Sequence, residues 1–278
     1  MMGFAKATYY YEPYESSKEY SDFEVRDFIE KIHEEFPAYG YRRVYHHLLR
    51  QEIRINSKRL KRIMKEYELF TCLKKWMRPR GTHSGLKLRY PNLIAGRKVT
   101  GPNQVWATDF TYIKLRYQFV YLSAVIDIYT RKIVGWALSE SLTHEFCLEA
   151  IKIAVQKEKP PEGLIHHSDR GVQYVCEPYI HYLLEKGMQV SMSRPGVPEE
   201  NAFIESFFKT LKKEEVYFRK YQTINDVIKN VPKFIDEVYN KKRLHSSLGY
   251  MSPEEYECKI LSLEINDRPV QKIWGQRI

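Results

Sequence analysis

Residues 104–140 read QVWATDFTYIKLRYQFVYLSAVIDIYTRKIVGWALSE and contain three runs rich in β-branched and aromatic residues, divided by short polar turns. Further along, two segments with helical periodicity (143–158 and 176–187) alternate with two short strand-like segments (163–169 and 189–193). Three consecutive strands followed by such an alternation predict an α/β fold, in which a mixed sheet is flanked by helices.

Near the start of the chain the sequence predicts three short helices. SDFEVRDFIEKIHEEF (21–36) has apolar residues at helical spacing behind a capping Ser21, and AYGYRRVYHHLLRQE (38–52) turns at Gly40 into a second helix. NSKRLKRIMKEYEL (56–69) forms the third. Together they predict a small all-α module of helix-turn-helix type.

Positive charge is concentrated in one part of the chain. The formal net charge is +10, and residues 41–100 hold 17 Lys and Arg against 3 Asp and Glu. A basic segment of this density predicts a polyanionic partner, with nucleic acid as the leading candidate. An ordinary solvated basic face is the alternative, and charge alone leaves it open.

The predicted organisation has five parts. They are an N-terminal tail (1–20), the helical module as a DNA-binding domain (21–72), a basic linker (73–102), the α/β core (103–222) and a C-terminal helical and basic extension (223–278). The linker prediction comes from three prolines, four glycines and weak periodicity, which favour an extended chain suited to following phosphates.

The cysteines and the hydropathy pattern indicate the compartment. Cys72, Cys147, Cys176 and Cys258 are scattered and include no C-x-x-C pair, which predicts neither a disulfide framework nor a zinc site and fits a reducing cytoplasm. No apolar run approaches the roughly 20 residues of a membrane helix, and no signal-peptide pattern heads the sequence. We therefore expect a cytoplasmic protein.

Two aspartates stand out by their positions. Asp109 lies inside the strand-like run VWATDFTYI, where a charge is costly unless it is paired, hydrogen-bonded or bound to a metal. Asp169 ends the strand-like segment IHHSD, and the carboxyl ends of strands in open α/β sheets are where ligands bind. The alternatives are a buried aspartate satisfied by its neighbours and an ordinary turn residue.

A third acidic residue, Glu205, lies within SRPGVPEENAFIESFFKTLKKE (193–214). Helical spacing gathers one apolar arc that consists of Phe203, Ile204, Phe207, Phe208 and Leu211. Glu205 falls on the opposite side, together with Asn201, Lys209 and Lys212. A solubilising charge on a helix surface would give the same pattern, so periodicity alone does not decide its role.

The combination of motifs carries a resemblance. WATDFT, HSDRGVQY and NAFIESFFKTLKKE, with 35 residues between Asp169 and Glu205, resemble the DDE transposases of the retroviral-integrase superfamily. The chain is most similar to the second-reading-frame (OrfB-type) product of the IS-three family of bacterial insertion sequences. YGYRRVYHHL and YNKKRLHSSLGYMSPEEYE resemble that family's helical module and C-terminal signature, and Lys212 matches its basic residue seven positions after the glutamate. GVPEENA departs from the pattern, because many relatives carry a tyrosine and an aspartate before the asparagine.

The resemblance implies an RNase H-like catalytic core with a five-stranded mixed sheet, preceded by the small all-α module. It implies that Asp109, Asp169 and Glu205 are the catalytic residues and the metal ligands. The implied cofactor is Mg²⁺, for which Mn²⁺ substitutes, with two ions per active site, and hard carboxylate oxygens suit both metals. The implied activity is metal-dependent strand cleavage at insertion-sequence ends, followed by strand transfer of the freed 3′-hydroxyl.

Further residues are predicted to contact DNA. They are Lys209, Lys212, Asn201 and His167 near the carboxylates, Arg243 and His245 in a C-terminal basic loop, and Arg42, Arg43, Lys58, Arg59, Lys61 and Arg62 in the helical module. Surface lysines, a structural histidine and capping of the loop are the alternatives. Packing or turn roles are expected for Trp106, Asp127, Arg131, Gly135 and Trp136, which also match the family pattern.

The implied partner is double-stranded DNA, both the terminal inverted repeats of the element and its target. The resemblance further implies self-association on DNA, a bacterial, nucleoid-associated location and an upstream-frame (OrfA) protein as a second partner. MMGFAKATYYYE (1–12) resembles an internal stretch of the frameshifted full-length transposase, so we expect the chain to be the downstream-frame product.

Two other functions are open at this stage. One is a non-catalytic DNA-binding regulator, which the presence of all three carboxylates disfavours. The other is an RNase H-type nuclease acting on RNA–DNA hybrids, which the basic helical module and the 35-residue interval disfavour.

Overall fold

The computed structural model describes residues 20–69, 90–194 and 197–273. The chain falls into two compact units, Met1–Cys72 and Leu73–Ile278. Almost all of the predicted N-terminal tail lies outside the described residues, as does the first part of the predicted linker, 73–89.

The first unit contains the three helices that the sequence predicts: α1 Asp22–Glu35, α2 Tyr41–Arg50 and α3 Ser57–Glu66. A capping box starts α1, because Ser21 and Glu24 each accept a hydrogen bond from the other's backbone N–H. Asn56 caps α3 by accepting a hydrogen bond of 2.9 Å from the backbone N–H of Lys58. Each helix buries apolar residues, among them Val25, Ile29, Val44, Leu48, Leu60 and Ile63.

The second unit is built on a five-stranded mixed sheet, so the predicted fold class is confirmed. The strands of this unit are β1 Lys98–Val99, β2 Val105–Lys114, β3 Phe119–Asp127, β4 Ile133–Ser139, β5 Ile165–Ser168, β6 Gln189–Met192 and β7 Gln271–Lys272. The main sheet has the order β4-β3-β2-β5-β6. The first three strands along the chain are antiparallel neighbours, whereas β5 and β6 are parallel to β2.

Helices cover both faces of this sheet. They are α4 Glu145–Glu158, α5 Val172–Val175, α6 Glu177–Glu185, α7 Ala202–Leu211, α8 Tyr217–Arg219, α9 Ile224–Lys233 and α10 Pro253–Leu261. A π-helical stretch, Lys212–Val216, connects α7 to α8. No helix in the described ranges is long and apolar enough to cross a membrane.

Neighbouring residues of β2 supply the two cores. Trp106 belongs to the core that includes Phe146 of α4 and Tyr179 of α6, whereas Ala107 belongs to the core that includes Ile204 and Phe207 of α7. Because side chains alternate along a strand, consecutive residues of β2 face opposite layers. The start of β2 is apolar without alternation because both faces of the sheet are buried there.

The core around α7 extends past two predicted domain boundaries. Within the predicted linker, Ile94 and Val99 are buried and β1 pairs with β7. Residues 90–102 thus pack on the core, and the prediction of an extended linker is wrong for this part. Val227 and Ile260, from the predicted C-terminal extension, belong to the same core. Isolated buried residues in irregular segments have no periodicity by which the sequence would reveal them.

Gly135 allows α4 to lie directly against β4. A Cβ atom at this position would overlap the carbonyl oxygen of Ala150 and would lie 2.7 Å from the Cβ of Ala154. Both residues belong to α4, so no flexible side chain can move aside to make room.

Replacement of Gly135 by alanine is expected to lower the free energy of unfolding by about 1–3 kcal/mol, because the added methyl group overpacks the interface of α4 with the sheet. Urea unfolding of the purified variant measures this. Gly101→Ala is the matched control, since a Cβ there lies 3.4 Å from its nearest neighbour, the side chain of Arg268. Equal unfolding midpoints for the two variants would contradict the packing argument.

Candidate active site

Asp109 lies in the middle of β2, where it is half-buried. Its Oδ1 accepts a hydrogen bond of 2.8 Å from the backbone N–H of Phe110. Burial raises the pKa of Asp109 well above its usual value, and the negative charges of Asp169 and Glu205 raise it further. The three predicted carboxylates therefore lie close enough to interact electrostatically.

Asp169 directly follows β5, the strand beside β2. Ala107 and His167 are register partners in these parallel strands, so Asp109 and Asp169 each lie two residues beyond the same paired position. The Oδ1 of Asp169 accepts a hydrogen bond of 2.8 Å from the backbone N–H of Gly171. The end of β5 thus brings the second carboxylate beside the first.

Glu205 lies in the first turn of α7, and 28% of its side chain is exposed. Lys209, one turn later, places its Nζ 3.1 Å from Oε2 of Glu205. The start of the helix is fixed to β2, because Asn201 Nδ2 donates a hydrogen bond of 3.2 Å to the carbonyl oxygen of Thr108. Thr108 immediately precedes Asp109, so this bond joins the elements that carry the first and third carboxylates.

The chemistry of these donors shows whether the site fits a metal ion. Within the described ranges, no three His, Cys, Asp or Glu side chains are close enough to form a complete set of metal ligands. The effect of the other two carboxylates on Asp109 nevertheless shows an excess of negative charge, which the nearby Lys212 offsets only in part. Hard oxygen donors with unbalanced negative charge fit Mg²⁺ or Mn²⁺.

The two lysines of the predicted DNA contacts lie beside the carboxylates. Lys209 is 61% exposed and pairs with Glu205. Lys212 starts the π-helical stretch, and its Nζ lies 4.4 Å from the centroid of the Tyr112 ring. The structure gives both lysines places at the site, and their contact with DNA stays a prediction.

His167 and Asn201 are both buried beside the carboxylates. Nδ1 of His167 hydrogen-bonds with Ser191 Oγ at 2.9 Å, and burial lowers the pKa of His167 to about 4, so the ring is neutral at neutral pH. Nε2 of His167 and Oδ1 of Asn201 have no hydrogen-bond partner among the described residues. Their burial gives both residues a structural role, and DNA contact remains a prediction for them.

Arg243 and His245 lie inside the protein rather than on an exposed basic loop. Arg243 is 4% exposed, and its guanidinium donates two hydrogen bonds of 2.7 Å to the carboxylate of Glu214. His245 is buried beside it, with its Nε2 3.2 Å from the Nη1 of Arg243. This pair ties the chain before α10 to the π-helical stretch that follows α7, and a DNA contact for either residue remains untested.

The basic residues of the helical module divide into two groups. Arg59 and Arg62 bind the carboxylate of Asp22 at 2.6 and 2.7 Å, so they link α3 to α1. The others are exposed or half-buried on α2 and α3, namely Arg42, Arg43, Lys58 and Lys61. DNA contact is untested for all six.

Sequence reasoning missed contacts that hold the segment leading to Glu205. Glu200, in the divergent GVPEENA segment, accepts hydrogen bonds from the backbone N–H and the Nε of Arg194 at 2.6 and 2.8 Å. Further into α7, Phe203 stacks with Arg131, whose guanidinium carbon lies 4.0 Å from the ring centroid. The signals in the sequence are the departure of GVPEENA from the family pattern and the match of Arg131 to it, and neither specifies these contacts.

Family models match most of the chain in three pieces. Residues 21–76 match an HTH-like domain, and residues 99–198 and 186–253 match two models that are each described as an integrase core domain. The two core matches together include all three carboxylates.

Full-length relatives agree with these matches. The chain is 38% identical over 227 residues to the transposase for insertion sequence element IS904 of Lactococcus lactis. The alignment covers 81% of this chain and 90% of that protein. It is 34% identical over 253 residues to the putative transposase InsK for insertion sequence element IS150 of Escherichia coli, which covers 90% of this chain and 89% of that protein.

A solved structure supports the fold alone. One chain of the simian T-cell lymphotropic virus intasome in complex with PP2A regulatory subunit B56 gamma superimposes with a TM-score of 0.50 at 14% identity. The match covers 90% of this chain and 79% of that one.

Arg243→Met is expected to lower the free energy of unfolding by about 3–5 kcal/mol, because it leaves the mostly buried Glu214 carboxylate without its guanidinium partner. The double variant Arg243→Met/Glu214→Met should recover most of this loss, and urea unfolding measures both. If the folded double variant binds DNA as tightly as the wild type does, the role of Arg243 is structural. If the double variant is as stable as the wild type but binds DNA more weakly, the result supports the predicted contact of Arg243 with DNA.

Proposed function

Because the chain belongs to the IS-three family of insertion-sequence transposases with an integrase core, we propose that it cuts DNA strands at the ends of its insertion sequence and transfers the freed 3′-hydroxyl to target DNA. The observation that carries this proposal is the approach of Asp109, Asp169 and Glu205 to one another from β2, β5 and α7. The membership makes the protein a transposase; the division of labour below is our proposal.

Asp109, Asp169 and Glu205 would hold Mg²⁺, with two ions per site and Mn²⁺ as a substitute. When bound, these ions supply Lewis acidity and lower the pKa of an attacking water or hydroxyl. The excess negative charge around Asp109 supports this assignment. That charge attracts divalent cations, and it would repel the negatively charged phosphodiester of DNA until such cations neutralise it. Metal binding would thereby prepare the site for an anionic substrate.

The surrounding side chains would position the DNA. Lys209 pairs with Glu205 and the charge of Lys212 acts on Asp109, so both lysines are suited to the phosphates on either side of the cleaved bond. His167 is neutral and buried, so it is a poor proton donor and instead supports the end of β5. Asn201 keeps Glu205 in place through its hydrogen bond to Thr108.

The helical unit would bind the terminal inverted repeats. Its match to an HTH-like domain and the exposed cations of α2 and α3 support this role. Two element ends must be processed together, so we also propose self-association on DNA and cooperation with an upstream-frame (OrfA) protein.

The effect of Mg²⁺ on thermal stability tests whether the three carboxylates bind a metal ion or form a cluster without one. Asp109→Asn should raise the melting temperature in the absence of divalent ions, because it replaces a carboxyl group whose ionised form is disfavoured by burial and by the charges of Asp169 and Glu205. Saturating Mg²⁺ should stabilise the wild type, by about 2.7 kcal/mol at a concentration a hundred times the Kd, and should leave the variant almost unchanged. An equal Mg²⁺ response from both proteins would place the ion elsewhere.

The activity test uses a supercoiled plasmid that carries both ends of the element. Wild-type protein with Mg²⁺ or Mn²⁺ should nick at the ends and join the freed 3′-hydroxyls, and Glu205→Gln should reduce both by more than about a hundredfold, because ligands matter at least as much as their supporting partners. Glu149→Gln, an exposed glutamate on α4, is the matched control.

The products also separate the alternative functions. Binding of the plasmid without cleavage by any of these proteins, even after the upstream-frame protein is added, would favour a DNA-binding regulator. Cleavage of RNA–DNA hybrids in preference to the element ends would favour an RNase H-type nuclease.

A further inference from the structure

The turn between β2 and β3, Lys114–Phe119, carries an unusual set of exposed side chains. Tyr117 is 86% exposed, which is the largest value for any large apolar side chain in the described ranges. Phe119 is 42% exposed, and Lys114 and Arg116 are exposed on either side of the buried Leu115. We call this segment the β2–β3 tip.

The charge of the tip has one sign. Residues 110–126 contain Lys114 and Arg116 and no Asp or Glu. The guanidinium carbon of Arg116 lies 5.0 Å from the centroid of the Tyr117 ring, so a cation and an aromatic face are presented together. Two exposed aromatic rings leave a large apolar area in contact with water. Binding of a partner that covers these rings would therefore be favourable.

A row of side chains connects the tip to the candidate active site. Lys212, whose charge acts on Asp109, lies over the ring of Tyr112 at 4.4 Å. The Tyr112 ring meets Phe119 edge to face, with centroids 5.5 Å apart. Phe119 pairs with Lys114 at the end of the β2–β3 ladder. Aromatic and cationic groups thus follow one another from the carboxylates to the tip.

We propose that the β2–β3 tip is a binding site for an unpaired DNA strand next to the cleaved phosphodiester, with bases stacked on Tyr117 and Phe119 and phosphates held by Lys114 and Arg116. Aromatic faces combined with cations are the surface that single-stranded nucleic acid binds without sequence preference. This inference rests on the proposed function, since it assumes that DNA enters the carboxylate site.

The fold sets the distance between the two sites. Lys114 lies five residues after Asp109 in β2, and at about 3.4 Å per residue this is about 17 Å. A DNA strand that runs along β2 from the carboxylates therefore reaches the tip within a few nucleotides of the cleaved bond.

Photocrosslinking of the full chain to element-end DNA tests the proposal. A 5-iodouracil base is placed at successive single positions of a strand left unpaired beside the cleavage point, and crosslinked peptides are identified by mass spectrometry. We expect the crosslink to fall on Tyr117 or Phe119 when the modified base is within a few nucleotides of the cleaved bond. Crosslinks confined to other segments at every position would overturn the proposal.

Variants give a second measurement. Tyr117→Ser should weaken binding of the partly unpaired DNA about tenfold, in line with the loss of one stacked base, whereas Tyr117→Phe should bind as the wild type does. Ile265→Ser is the matched control, because Ile265 is 70% exposed and lies far along the chain from the tip. Wild-type affinity in Tyr117→Ser, or an equal loss in Ile265→Ser, would also overturn the proposal.

Failure of this inference can be told apart from failure of the proposed function. Crosslinking needs binding but not cleavage, so a crosslink at the tip in a protein that never cuts would support the tip and contradict the proposed chemistry. Metal-dependent cutting at element ends without a crosslink at the tip would contradict only the tip. Absence of any binding to partly unpaired DNA would overturn the tip whatever the cutting assay shows.

Discussion

The repulsion among three carboxylates is the constraint on which the rest of this structure depends. Asp109 is held inside the central strand while Asp169 and Glu205 approach it, an arrangement that raises the pKa of Asp109 and costs stability. Such a cluster persists only if rigid elements hold it. The parallel register of β2 and β5 fixes the two aspartates, because backbone hydrogen bonds align the strands as far as the Ala107–His167 pair, two residues before each aspartate.

The glutamate requires more support, since α7 is not part of the sheet. Its apolar side packs on the core, and polar contacts fix the helix along its length. Asn201 bonds to β2 just before Glu205, Arg131 stacks on Phe203, and Arg243 binds Glu214 beyond the end of the helix. These contacts come from distant parts of the chain, so the position of one carboxylate depends on much of the second unit.

Much of this organisation can be predicted from the sequence, because it rests on local signals. Periodicity and caps reveal the strands and helices, whereas it is the resemblance of the motifs to the DDE transposases that singles out Asp109, Asp169 and Glu205 as the candidate site. The structure brings these three together, although their roles as ligands rest on the proposal. Contacts between irregular segments are less accessible: the burial of Ile94 and the pairing of Arg243 with Glu214 depend on tertiary proximity that no local pattern encodes.

The two adjacent histidines of β5 make this region sensitive to acid. Burial lowers the pKa of His166 to about 3 and that of His167 to about 4, whereas a histidine in an unfolded chain has a pKa of about 6.5. Below about pH 6.5 these histidines bind protons in the unfolded chain but stay unprotonated in the folded chain. The free energy of unfolding therefore falls as the pH falls from about 6.5 towards 4. At pH 5 each ring contributes a loss of about 2 kcal/mol. Protons therefore compete with folding through the strand that positions Asp169.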